Sequence, residues 1–378
     1  MALATGTALD PLDELIDGTL EQLDITESMH NAAVAEYQEV GRFVSAAGVR
    51  RGVDVFVHPQ GSFLLGTVVL PVGSNEFDID LVARYGLRRT QTTQDELKQR
   101  AGLDLHDYVR SRAGDDNGPT ACDEGMRAWT LSYRQPFHLD TLPSIPDDEA
   151  ETPSAILLPD RGLVRWQHSD PLAYATWFVQ RGQRRLVLKE ARAYVAGVPR
   201  FTRRTTLQRA VQVLKRHRDL FFGNDIDNRP PSILITTLAA LADDGNNNAY
   251  AAIVAIAGDM ERFIENRSGV WWVANPVAPQ ENFVDKWASH PERRTRFYQW
   301  LDNLKTELSA ASSEGVPSAI RRFKAMFGEE PVEKAAERMG ASTRSLREQG
   351  ALTIGSAGAT LGTGGATRVR DHRFYGSR

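Results

Sequence analysis

Apolar residues recur at helical spacing near the start of the chain: Leu12, Leu15, Ile16 and Leu23, then Met29, Ala33, Tyr37, Val40 and Val44 after the capping-type Thr26. The pattern predicts two helices or one interrupted helix over 11–47, stopped by Gly48. From 53 to 85 the period shortens. "VDVFVHPQGS", "LLGTVVLPVGSN" and "FDIDLVARY" are short apolar runs punctuated by Gly and Pro, the chemistry of strands and turns. A helix is expected over 93–112, around Leu97, Leu105 and Val109, followed by a strand pair, "AWTLSYR" and "FHLDTLPSIP", joined across Gln135–Pro136. After Asp170–Pro171, a cap and a first-turn proline, the texture is helical over 171–195, 205–222, 231–243, 248–266, 291–312 and 317–338. From 341 onward Gly, Ser and Thr dominate, and such a segment buries too little apolar area to offset its ordering, so a flexible tail is expected.

The pattern is mixed to about residue 150 and helical beyond it, and 378 residues at 41% hydrophobic suffice for two moderate cores. A net charge of −4 excludes a bulk nucleic-acid coat, so any anion site must come from local clustering of base. The single cysteine, Cys122, excludes an internal disulfide and a Cys-rich zinc site, as expected of a cytoplasmic protein. Neither a signal-type segment nor an apolar run of about 18 residues is present, so no membrane association is expected.

The chemistry concentrates in "EFDIDLV". On a strand, Asp78 and Asp80 share one face while Phe77, Ile79 and Leu81 occupy the other. Two desolvated carboxylates side by side repel unless a cation lies between them. Hard oxygen ligands suit Mg²⁺, and a pair of such ions can stabilise the attacking and leaving oxygens of a phosphoryl transfer. Asp140 in "FHLDTLP" offers the third carboxylate that a two-metal site wants from a neighbouring strand. Gly61–Ser62, ending sixteen residues before Asp78, combines a backbone that can approach phosphate closely with a hydroxyl to grip it. His138, two residues before Asp140, is expected to support or pack rather than to act as a nucleophile's base, since no nucleophile elbow is present. "GSFLLG" is no P-loop, because no Gly–Lys–Ser/Thr follows.

This ordered set resembles the DNA polymerase β-like nucleotidyltransferases, and within them the cGAS/DncV-like nucleotidyltransferases (CD-NTases) of bacterial antiphage signalling systems. "HPQGSFLLGTVV", "EFDIDLV", "FHLDTLPSIPD", "SDPLAYATWFVQR", "LKRHRDLFF", "PPSILITTLAA" and "NPVAPQENFVDKW" read like family segments in the family's order over 55–290. The resemblance implies a two-lobed α+β fold. A mixed β-sheet N-terminal lobe and an all-helical C-terminal lobe would be spanned by a long N-terminal helix. The divisions would be 1–50, a helical segment on both lobes; 51–165, the catalytic core; 166–340, the helical lobe; and 341–378, the tail.

It further implies an enzyme joining ATP, GTP or pyrimidine triphosphates into a cyclic di- or trinucleotide second messenger, with two Mg²⁺ ions that Mn²⁺ could replace. Asp78 and Asp80 would bind both ions, Asp140 would complete one ion's site, and Gly61 and Ser62 would hold the donor triphosphate. Lys215 and Ser232 match a helix lysine and a following helix-start serine that relatives use to grip that triphosphate. A downstream effector activated by the product is implied, as is, for some members, a ubiquitin-like ligase acting on the C-terminus. Here Gly376 would be the attachment point, though Ser377–Arg378 follow it. Ile233 stands where several relatives stack a tyrosine on the base, and one cysteine cannot build the zinc insertion of the animal DNA sensor. Two rival readings are a transferase acting on an RNA end or a protein hydroxyl, and a silent nucleotide sensor. Residues 181–218 carry twelve Lys or Arg against one acid, Glu190, most of them expected on a solvated face.

Overall fold

Two antiparallel runs, β1 (Val55–Gln60) and β2 (Phe77–Tyr85), begin a seven-stranded sheet. The computed structural model describes residues 11–73, 76–159, 166–182, 195–199, 203–348, 353–354 and 367–368. β2 pairs in parallel with β5 (Phe137–Pro146). The first half of β5 then pairs with β4 (Trp129–Ser132), which carries β3 (Ala121–Glu124) at the edge. Its last residues instead pair with β6 (Ile156–Leu158), which pairs with β7 (Gln167–Ser169). One face of the sheet is closed by α2 (Glu27–Arg50) and α4 (Gln94–Ser111), whose Tyr37, Val40, Leu97 and Leu105 pack with Ile79, Leu81 and Leu139.

The N-terminal segment crosses both cores as two helices. α1 (Pro11–Gln22) buries Leu15, Ile16 and Leu20 in the second, helical core, whereas α2, capped by Thr26, belongs to the sheet. The helical core gathers α5 (Pro171–Arg181), α6 (Thr206–Phe222), α7 (Ser232–Ala242), α8 (Ala249–Asp259), α9 (Pro291–Ser313) and α10 (Val316–Phe327), with Val332 and Ala335 of α11 (Glu329–Glu348). A five-residue helix, α3 (Gly61–Leu65), joins the cores: Phe63 lies in the sheet core and Leu64 and Leu65 in the helical one.

Several expectations change. "LLGTVVLPVG", the described part of "LLGTVVLPVGSN", is not a strand, because α6 captures its backbone carbonyls, as set out below. The helix expected over 317–338 is two helices, divided at Gly328, whose φ of +100° a helix cannot continue through. α11 runs on to Glu348, beyond the expected start of the tail. The helix expected over 248–266 ends at Asp259, passing through a short 3₁₀ turn into β8 (Glu265–Arg267). β8 pairs with β9 (Val270–Trp272), and β10 (Ala274–Asn275) pairs with β11 (Ala278–Asn282); the apolar pattern signals neither hairpin. α5 is described to Arg181, and most of the rest of the helix expected to 195, like Gly376, lies outside the described residues. Among the described residues no helix is long and apolar enough to cross a membrane.

β4 supports the acidic face and is itself held by α4. Trp129 Nε1 donates to Lys98 O at 3.0 Å, and the indole lies against Gly102, where a Cβ would stand 2.2 Å from its Cζ2. Gly102→Ala is therefore expected to destabilise the protein by roughly 1–3 kcal/mol through overpacking, read as a fall in Tm and in denaturant midpoint at constant slope.

Candidate active site

The pleat of β2 puts Asp78 and Asp80 on the face opposite the buried Phe77, Ile79 and Leu81. Parallel pairing sets Asp80 directly beside Asp140 and Asp78 beside His138. The three acids thus occupy one face of two adjacent strands. Thr130, facing Asp140 on β4, donates its hydroxyl to Asp140 Oδ1 at 2.6 Å. His138 spans two acids, with Nε2 3.2 Å from Asp78 Oδ1 and Nδ1 3.3 Å from Glu76 Oε2.

Gly61 closes the other side of Asp80. Gln60 pairs with Asp80 across the ladder, and the next residue turns into α3 with φ +60°, a conformation L-residues avoid. A Cβ on Gly61 would lie 1.9 Å from Asp80 Oδ2. Only glycine fits there, and its neighbour Ser62 lines the same cleft.

The opposite wall comes from α6. Its polar side chains do not form the solvated face expected. Gln208 donates to Leu65 O, Gln212 to Val68 O and Arg216 to Leu70 O, at 2.6–2.7 Å, while Lys215 Nζ contacts Thr67 O at 3.2 Å and Thr67 Oγ1 at 3.3 Å. A helix periodicity of side-chain donors therefore holds the segment after α3 in extended coil, and these residues are buried. Ser232, at the start of α7, accepts from Arg218 Nη1 at 2.9 Å, and Arg218 also donates to Pro230 O and Asp219. Arg218 is the cation that the sequence could not single out from twelve.

The resulting cleft, about 1920 Å³, is lined by Gly61, Ser62, Asp78, Asp80, Lys215, Arg218 and Ser232 and extends to Trp166, His168, Trp272 and Glu281. Of the eight positions expected from sequence, the structure gathers Asp78, Asp80, Gly61, Ser62, Lys215 and Ser232 around this cleft and sets Asp140 beside Asp80 on the next strand. Gly376 lies outside the described residues. Ile233 lines the cleft in place of an aromatic ring.

The acids are under electrostatic stress. Burial, then repulsion by Asp78 and Asp140, pushes the Asp80 carboxyl up to about 7, with Lys215 and His138 offsetting part of the effect. Burial also raises Asp140, against the Thr130 hydrogen bond. On the facing wall, burial and then Arg218 push the Lys215 amine down to about 8, while Asp219, Asp78 and Asp80 favour its charge. Partly buried anions across from the buried cations Lys215 and Arg218 mark a site that a charged ligand would complete.

No protein-family model matches the chain. It is 27% identical over 361 residues to a c-di-GMP synthase of Roseivirga ehrenbergii, covering 92% of each chain. It is 23% identical to the cyclic dinucleotide synthase CdnG of Bradyrhizobium diazoefficiens, over 98% of this chain and 95% of that one. The fold matches the solved structure of that CD-NTase, CdnG in complex with GTP, with a TM-score of 0.69 at 20% identity over 88% of this chain and 99% of the other. Over nearly its whole length the chain is similar to cyclic dinucleotide synthases, the CD-NTase CdnG among them. Asp78, Asp80, the glycine turn and the α6 wall line one cleft between the two cores, with Asp140 beside Asp80 on the next strand. Lys215→Met removes a buried charge together with its contacts to Thr67. With the triphosphate role that the sequence resemblance implies, it is expected to raise KM for nucleoside triphosphate about tenfold or more, while Tm changes little because the two losses oppose each other. Steady-state kinetics beside a thermal melt check both halves.

Proposed function

We propose that this chain joins guanosine triphosphates, without a template, into a cyclic dinucleotide that serves as a second messenger in bacterial antiviral defence. The relatives, a c-di-GMP synthase and CdnG, support guanosine as the base and a cyclic dinucleotide as the product. The observation that carries the reading is the register of Asp80 with Asp140, against which Gly61 packs without a side chain.

The donor set fits divalent cations. Three carboxylates on one sheet face, one held near neutrality by burial and like charge, are stabilised when a dication joins them. Among the described residues no three His, Cys, Asp or Glu side chains converge closely enough to hold an ion by themselves. Water and substrate phosphate would have to complete the shell of any ion held there, as they commonly do for Mg²⁺. Asp78 and Asp80 would hold two ions and Asp140 would complete one of them, with Mn²⁺ as an alternative. When bound, the ions supply Lewis-acid polarisation of the transferring phosphoryl group and lower the acceptor hydroxyl's pKa.

The chain's own residues position and neutralise. Ser62 and the backbone at Gly61 would take the donor's phosphates, with Lys215 and Ser232 gripping from the helical wall. Arg218 orients Ser232 and adds positive charge where pyrophosphate departs. Two successive transfers, the second closing the ring, release two pyrophosphates. The product would act on a cyclic-nucleotide-activated effector. Conjugation of the tail at Gly376 by a ubiquitin-like ligase would be a separate layer of control.

Purified protein with labelled GTP and Mg²⁺ is expected to form a phosphatase-resistant product, and the Asp78→Ala/Asp80→Ala variant none. Labelled product that phosphatase degrades, or label on a macromolecule, would favour a transferase of another kind.

A further inference from the structure

A second cavity lies on the reverse face of the sheet from the acids. β5 alternates, so Phe137 and Leu139 point away from the face of His138 and Asp140 and into the core beneath α2 and α4. At the edge of that core a cavity of about 540 Å³ opens between α2, the segment after α4 and the start of β5. Glu36 and Glu39 of α2, Arg112 and Asp115 after α4, and Gln135 form its polar wall. None of these residues lines the acid-bearing cleft.

Arg112 is the hub of that wall and has no donor left for a ligand. A guanidinium carries five N–H groups. Nε and Nη2 go to Asp115 Oδ2 at 2.8 and 2.7 Å, and Nη2 also reaches Glu36 Oε1 at 3.1 Å. Nη1 goes to Glu39 Oε2 and to the Tyr108 hydroxyl, each at 2.8 Å. What remains is acceptor capacity. Glu36, its side chain 9% exposed, accepts from Arg112 and from Tyr108, and a carboxylate has room for about four such bonds. Gln135 donates Nε2 to Asn117 at 3.0 Å, while its Oε1 is buried with no partner. Tyr133 is 5% exposed, with its ring centroid 4.8 Å from that of Phe137. Its hydroxyl, buried beside Glu36 and Tyr108, has no well-formed hydrogen bond. Charge points the same way: three carboxylates face Arg112 and, at the rim, Arg42 beside Glu39.

Buried acceptors call for a donor, and surplus negative charge calls for a cation. Phosphates and carboxylates fail on both counts. Ala32, Ala35 and Phe137 add an apolar wall, which a methylene stem would use and a bare metal ion would not. The volume falls within the range of small-molecule pockets. We infer that this cavity binds an alkylammonium group, with its N–H donors on Gln135 Oε1 and Glu36 and its stem along the alanines and Phe137. A free polyamine and a lysine side chain share that chemistry.

Spermidine titrated calorimetrically into the full chain, without metal or nucleotide, is expected to bind one-to-one. Gln135→Met keeps the side chain's length but removes the acceptor, and should weaken binding about tenfold, the worth of one charge-assisted hydrogen bond. Ala35→Leu, at an exposed helix position, fills the cavity without touching the Arg112 network and should abolish binding. Should Gln135→Met melt below wild type, Ala35→Leu carries the test. Glu292→Gln, which removes an exposed acid on α9, should leave the affinity unchanged. Nα-Acetyl-lysine amide separates the two sources: binding as tight as spermidine's assigns a lysine side chain, and weaker binding assigns a free polyamine. No heat from either amine, affinity that survives in Ala35→Leu, or an equal loss in Glu292→Gln overturns the inference.

Discussion

Asp80→Asn is expected to lower GTP turnover by at least about a hundredfold and, in the absence of metal, to make the protein more stable above neutral pH. Both effects come from one cause. Burial and the neighbouring Asp78 and Asp140 hold the Asp80 carboxyl at about 7 in the folded chain. An unfolded aspartate titrates near ~4. The folded state therefore binds this proton more tightly, so the group's stabilising contribution is present at low pH. It is lost as pH rises between those two values. In chelator, wild-type Tm should fall across that window through this group, and Asp80→Asn, uncharged throughout, should lack that component. At pH 8 the variant should melt higher; at pH 4 the two should coincide. Added Mg²⁺ and nucleotide should reverse the order, because the ligands stabilise only the chain that binds them. A variant less stable than wild type at pH 8 in chelator would show that the acids are not under mutual strain.

Gly61→Ala is the second large effect. The added methyl meets Asp80 Oδ2 at 1.9 Å, and φ +60° strains any L-residue there by about 1–2 kcal/mol. The carboxylate must move or the turn must open, and either change displaces the acids from the Gly61–Ser62 backbone. Activity should fall about a hundredfold or more, since misplacement of about 1 Å costs that much in a positioned reaction. Gly73→Ala supplies the control. Its φ is +62°, yet nothing lies within 4 Å of its added Cβ. It should carry a similar backbone strain, seen as a lower Tm, and keep its turnover. Equal activity losses in the two variants would reduce the Gly61 effect to backbone strain.

The acid row was legible because period-two alternation is local. Asp78, Asp80 and Asp140 interrupt apolar runs, and a strand converts that spacing directly into a shared face. Register was not legible: that Asp140 faces Asp80, rather than a neighbour, depends on long-range pairing. The α6 wall was legible only at Lys215, for a related reason. Gln208, Gln212 and Arg216 have the composition of a solvated face, and they are buried only because carbonyls from 65–70 are brought to them across the chain. Gly328 and the hairpins between Glu265 and Asn282 escaped because short turns carry little periodic signal. The pairing of Glu36 with Arg112, 76 residues apart, had no sequence signal at all.

The central claim is that the cleft over Asp78, Asp80 and Asp140 joins guanosine triphosphates into a ring. Mass spectrometry of the product from an equimolar mixture of the four nucleoside triphosphates with Mg²⁺ tests it in one step. A cyclic dinucleotide of guanosine, absent when Asp78 and Asp80 are replaced by alanine, is the predicted result. Consumption of no triphosphate by the wild type, or formation of linear product alone, would contradict it.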